Sequence, residues 1–317
     1  MSKIVYLDQN KWIDISRAFY GRTDGEPFVP VLSKLQDKTK SGEVILPLSI
    51  MHIIETARGG NVERKKRLTD FMLGLSGAHG ILPYISVRKE EIHNAISLHL
   101  GEPKTFDIPA IAFQKGIEHI LNIDLSSEGI PTSLQALFKQ SINNFDVVSD
   151  FIVNKFEKEL TDDIKEENLD TVKIYEERRA ELQKYSKDER RRIAVYEMGK
   201  HIAPEIINVL NERGLDVKAF VDSFGKEVDS ADAWQAFFMS IPTIDLYINL
   251  HLIRDENIGR KIDKNDGSDI AFMAIAIPYC DVVVLERYWY SVLKAAKYDE
   301  KYNTTLLTDL RELENML

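Results

Sequence analysis

The sequence predicts an α/β protein with a parallel sheet and a large, mostly helical insertion. Three observations over its 317 residues carry that prediction. The first ninety residues alternate short apolar runs with amphipathic helical patterns, the arrangement of βα units. The last fifty return to the same alternation. Between them, helical periodicity and charge dominate, as in "EEIHNAISLHLG" and "RRIAVYEMGKHIAPEIINVLNERG". The expected division is 1–87 with 241–317 for the discontinuous α/β domain, and 88–240 for the insertion.

The elements follow in order. Ile4-Val5-Tyr6-Leu7 reads as a strand that stops at Asp8-Gln9-Asn10, after which Trp12, Ile13, Ser16 and Phe19 mark a helix ending at Gly21. Residues 26–30, EPFVP, read as a proline-bounded loop, and 31–40 as a helix. Val44-Ile45-Leu46 is a second short strand; Ser49 follows Pro47, and Ile50, Ile53, Ile54 and Ala57 mark a helix face that Gly59-Gly60 terminates. "ILPYISV", 81–87, is expected to be a strand. Breaks at 101–109 and 126–132 divide the helical middle. Near the end, a helix is expected to begin at Asp269 and turn at Pro278. A strand then covers Val282 to Leu285, a helix 287–298, and "NTTLLT" forms the last strand before "DLRELENML".

Composition bounds the function. Net charge is −10, which argues against a protein that coats nucleic acid through its overall field but leaves room for a local basic path. The single cysteine, Cys280, lies in an apolar stretch and excludes both a disulfide framework and a cysteine-based zinc site. The chain enters its first strand without the pattern of a signal peptide, and no stretch has transmembrane length. The expectation is a cytoplasmic protein with no membrane partner.

Four acids fall where a parallel sheet would bring them to one edge. Asp8 ends the first strand, Glu55 lies on the helix after the second, Asp269 begins the helix leading to the next strand, and Glu286 follows that strand. Ligands collect at the carboxyl ends of such strands. Clustered carboxylates repel one another, and a divalent cation removes that cost. Oxygen donors without histidine or cysteine nearby in sequence point to Mg²⁺ or Mn²⁺.

"IVYLDQN", "ILPLSIMHIIETA" and "NDGSDIAFMAIAIPYCDVVVLER", in that order, resemble a PIN domain. The resemblance covers about 1–85 and 240–317. It implies a three-layer α/β/α nuclease fold with a small acidic Mg²⁺ or Mn²⁺ site that cleaves RNA. By position Asp8 matches the acid ending the first strand, Glu55 the helical glutamate and Asp269 the third acid. Glu286 falls near the fourth, but Leu285-Glu286-Arg287 departs from the Ser/Thr followed by Asp or Asn found in many members.

The resulting expectation is a metal-dependent endoribonuclease whose insertion recognises a structured RNA or a protein, or mediates self-association. At family level the resemblance also allows a toxin or phage-defence role. Rival readings are a catalytically inactive RNA- or protein-binding module, and a phosphatase or phosphotransferase using Asp8 as nucleophile. The latter chemistry in its haloacid dehalogenase form needs a second Asp where Asn10 stands. Plainer roles compete residue by residue: Asp8, Asn10, Asp266 and Asp269 can all cap helices, and Glu55 can be a solvated helix residue. Asn10, Ser49 and Asp266 are retained as accessory candidates. Asp281 is also an accessory candidate, although it precedes its strand and should lie at the far edge of the sheet. The runs Arg64-Lys65-Lys66-Arg67 and Arg190-Arg191-Arg192 can contact phosphates or be solvated helix faces. Tyr175 and Tyr185 can stack bases or pack internally. The histidines, His52 among them, show no metal-ligand spacing.

Overall fold

The computed structural model describes residues 2–123, 131, 134–135, 143–156, 171–225 and 228–317. They are mostly helical, with a small parallel sheet, and the chain divides into two compact units. The first comprises Met1–Pro83, Pro109–Ile164 and Ala276–Leu317; the second comprises Tyr84–Ile108 and Lys165–Ile275. This differs from the expected insertion over 88–240. Residues 109–164 group with the sheet, and 241–275 group with the helices. Helical texture alone could not reveal this, because an apolar helix stripe looks the same whichever core it enters.

In the first unit, β1 (Lys3–Leu7) lies between β2 (Val44–Ile45) and β5 (Val282–Val284), and β6 (Thr305–Leu307) pairs with β5. All three pairings are parallel. Val5, Tyr6 and Leu7 are buried without alternation, as a strand covered on both faces requires. Helix α1 (Gln9–Phe19) buries Trp12 and Ile15, and α2 (Val29–Lys40) buries Val31, Leu32 and Leu35. Each fully buried side chain of this size contributes about 1.5–3 kcal/mol. These side chains share one core with Leu46, Leu48, Ile53 and Met72, the last two from α3 (Ile50–Arg58) and α4 (Val62–Ser76).

Several boundaries differ from expectation. EPFVP is not a loop, because a 3₁₀ turn over Thr23–Phe28 runs straight into α2, with Pro30 in its first turn. The strand expected at 81–87 is β3, His79–Ile81, and it ends before Pro83. Tyr84 instead opens α5 (Tyr84–His99). β3 pairs antiparallel with β4 (Phe113–Lys115) in a separate two-stranded sheet, and also bridges in parallel to Leu48. The helix expected at Asp269 begins at Asp266 and continues to Tyr279, so Pro278 lies inside its last turn. The expected break at 126–132 falls largely outside the described residues.

Among its described residues, the regular structure of the second unit is helical. Ile92, Ile96, Leu182, Ile202, Val209, Phe237, Ile244 and Ile248 form its core. It also buries charge. Arg254 is fully buried, pairs with Asp255 at 2.7 Å, and lies 4.1 Å over the Tyr175 ring. Tyr175 therefore packs internally. Among the described residues no single helix is long and apolar enough to cross a membrane.

Candidate functional site

The site is built where β1 and β5 end. Leu7 pairs with Val284, and the Asp8 N–H donates to the Val284 carbonyl at 3.1 Å, so Asp8 and Glu286 leave neighbouring strands at the same edge. Asp8 is the N-cap of α1, its carboxylate accepting from the Gln9 N–H at 2.8 Å. Capping and ligand binding are compatible here, because one carboxylate offers several acceptor sites. Glu286 stands at the N-cap of the helix Arg287–Ala295 without a side-chain capping bond. Asn10, one residue into α1 beyond Gln9, donates from Nδ2 to Glu286 Oε1 at 2.6 Å. Lys11 reaches the Thr308 carbonyl after β6 at 2.7 Å.

Glu55 projects from α3 into the same field. Burial pushes its pKa up to about 7, and the charge of Asp8 and then of Glu286 adds to that push, against the pull of Arg58. Asp8 is pushed up to about 6, first by burial and then by Glu286; the Gln9 N–H and Lys11 oppose this. Burial and neighbouring negative charge thus raise the proton affinity of Asp8 and Glu55, the signature of like charges in a partly dry site. Among the described residues, however, no three His, Cys, Asp or Glu side chains form a ready-made metal-binding group. The acids are coupled electrostatically without being drawn into a closed ligand set.

His52 is the residue that sequence reasoning left out. It is buried, and its Nδ1 accepts from the Ser49 N–H at 2.9 Å, so the proton sits on Nε2 and is donated to the Leu7 carbonyl at 2.9 Å. Burial lowers its pKa to about 4, leaving it neutral. Ser49 is the N-cap of α3, with His52 completing the reciprocal capping box. This pair fixes α3, and with it Glu55, against the last peptide of β1. Gln9 adds a second tie, donating to Thr56 Oγ1 at 2.9 Å. A Ser-x-x-His pattern before an apolar helix was the available signal.

The remaining candidates separate. Asp281 lies at the opposite end of β5, where its Oδ2 accepts from the Ile4 N–H at 2.7 Å and its own N–H donates to the Ile4 carbonyl at 2.9 Å. It fastens the strand entry and stands apart from Asp8. Asp266 belongs to the second unit. It is buried in a bidentate pair with Arg260 at 2.6 and 2.7 Å and accepts from the Asp263 N–H, which removes it as an accessory ligand. Asp269 lies one turn into the same helix, its N–H donating to the Asn265 carbonyl at 2.9 Å, on the part that belongs to the second unit. Arg190 donates to the Tyr185 carbonyl and Arg192 stands 3.6 Å from Asp232, as on a solvated helix face. A cavity of about 650 Å³ opens among Tyr20, Gln36, Val44, Asp70 and Gly77, and none of Asp8, Glu55, Asp269 and Glu286 lines it. The site is assigned to the acids because coupled charge, not volume, marks chemistry.

Comparison with models of known protein families, with curated proteins and with solved structures found no match.

Proposed function

We propose that the protein is a metal-dependent endoribonuclease of PIN type, its three-layer nuclease domain formed by the sheet-containing unit. The observation that carries this reading is the shared strand edge, where Asp8 and Glu286 emerge side by side with Glu55 electrostatically coupled to both. Nothing in the fold requires three acids to repel one another there. A hard divalent cation would turn that repulsion into binding, and the all-oxygen donor set suits Mg²⁺ or Mn²⁺. Asp8, Glu55 and Glu286 would hold it. Bound there, the metal supplies Lewis-acid activation of water and charge neutralisation at the phosphoryl group.

The protein's own groups position these ligands. Asn10 restrains Glu286, and the Gln9 N–H orients Asp8. His52 holds the Leu7 peptide that precedes Asp8. The acids supply no covalent chemistry. A second reading, RNA or protein binding without cleavage, draws on Leu285-Glu286-Arg287 and on the Asn10 bond that engages Glu286. Cleavage of total cellular RNA by purified protein, with manganese or EDTA and with Asp8→Asn as control, separates them. Cleavage that survives EDTA or persists in the folded variant removes the nuclease reading as stated.

A further inference from the structure

The Arg64–Arg67 run is not one uniform charged face. Lys65 is buried, and Lys66 pairs with Asp70 at 2.9 Å, whereas Arg64 and Arg67 point into a pocket of about 340 Å³ between the start of α4 and the outer side of α1. Arg17 and Arg22 line the same pocket from the end of α1, so four arginines line it beside one acid, Glu63, in a chain of net charge −10. Arg64 has no ion-pair partner among the described residues. Its stem lies across Gly60, where a Cβ would sit 2.9 Å from Arg64 Cδ and where φ is +68°. The bare glycine therefore permits this placement.

One aromatic ring, Tyr20, completes the pocket. Tyr20 lines it with its ring exposed, 5.5 Å beneath the Arg67 guanidinium, and its hydroxyl donates to the Arg67 carbonyl at 3.0 Å. Phe19, also exposed, packs edge-on against Tyr20 at 5.0 Å. Guanidinium groups beside an exposed ring combine backbone attraction with a stacking platform, the chemistry that recognises single-stranded nucleic acid. The competing acids are Asp14 and Asp24 on Arg17, Asp24 on Arg22 and Glu63 on Arg67. These are solvent-accessible pairs, whose attraction is small and readily exchanged for a phosphate.

The pocket follows α1 away from Asp8. Ile13 forms its near end and Tyr20 its far end, both on the helix that Asp8 caps. At about 1.5 Å per residue, the pocket extends from roughly 8 to 18 Å along α1 from Asp8, within a few nucleotides' reach. We infer that this Arg17, Arg22, Arg64, Arg67 and Tyr20 pocket is a subsite for the backbone and one base of single-stranded RNA, reached along α1 from the acids. The inference rests on the nuclease reading for its substrate, but its binding chemistry can be measured without cleavage.

The test is fluorescence anisotropy of a labelled single-stranded RNA in EDTA across a sodium chloride titration, with parent, Arg64→Gln/Arg67→Gln and Tyr20→Leu. All three side chains are exposed, so the variants should keep the parent's circular dichroism. For single strands each phosphate contact contributes about 0.7 to the salt slope, so the double variant should lose about 1.4 in slope and bind roughly 25-fold more weakly in 0.1 M salt. Tyr20→Leu should weaken binding about tenfold at unchanged slope. A parent that binds no RNA, or a double variant with the parent's slope, overturns the subsite. If the parent cleaves and the double variant keeps its kcat/KM, the subsite falls and the nuclease reading stands. If EDTA-resistant binding is lost in the double variant but no cation supports cleavage by the parent, the subsite stands and the nuclease reading falls.

Discussion

Asp8→Asn should make the metal-free protein more stable at neutral pH. Asparagine keeps the side chain's shape and caps a helix as well as aspartate does, so α1 keeps its first turn. What is lost is a charge that the fold disfavours. Asp8 is raised to about 6 by burial and by Glu286, against an unfolded value near 4. An acid with a raised folded pKa holds its proton more tightly folded than unfolded, so stability present at low pH is lost as pH rises through that window. Two pKa units correspond to about 3 kcal/mol at most, and residual solvent contact at Asp8 reduces this to about 1–2 kcal/mol. The variant should therefore melt about 2–5 °C above the parent at pH 7.5, and the gap should close towards pH 4. Thermal unfolding by circular dichroism in EDTA reads this directly. Adding Mn²⁺ should raise the parent and not the variant. A variant that is less stable than the parent at pH 7.5, or a gap independent of pH, would refute the electrostatic argument.

Glu286→Gln should weaken manganese-dependent cleavage and leave the melting temperature within a few degrees, whereas Asp281→Asn should keep cleavage and cost about 1 kcal/mol through the weakened Ile4 bond; steady-state kinetics and urea unfolding separate the two. His52→Ala should destabilise by about 3 kcal/mol, since a buried ring with two hydrogen bonds is removed. The pH dependence at His52 has the opposite sign to that at Asp8. With the folded pKa near 4, stability falls as pH drops from about 6.5 towards 4, and the variant's deficit should shrink over that range in a urea series. Arg260→Leu should cost about 3–5 kcal/mol by stranding the buried Asp266 carboxylate, and Arg260→Leu/Asp266→Leu should recover part of the loss in the same assay.

The sheet was legible because strands buried on both faces announce themselves as apolar runs with abrupt polar ends. Ile4 to Leu7 and Val282 to Leu285 both read this way. From those ends the common edge of Asp8 and Glu286 followed. The segment 81–87 misled because Ile85 and Val87 favour a strand in isolation, while Val87, Ile92, Ala95 and Ile96 are spaced to bury one helical face. β4 is three residues long, with Gln114 and Lys115 exposed, too weak a pattern to register. Asp266 and Asp269, three positions apart, can both cap one helix by sequence. Arg260, six residues before the first, pairs with it across the turn that enters the helix, a partner that a reading by caps and strand ends does not weigh. His52 escaped because its role lies in a backbone carbonyl supplied by another strand.

The bond between Asn10 and Glu286 joins residues 276 positions apart. That span has a consequence for biosynthesis. Until the ribosome has released the chain well past Glu286, β1 has no β5 beside it, and Asp8 has no neighbouring Glu286. Bringing such distant segments together is also slow relative to local helix formation. The nascent polypeptide therefore carries the site only as separated pieces, and a message truncated before the codon for Glu286 yields a product that cannot assemble it.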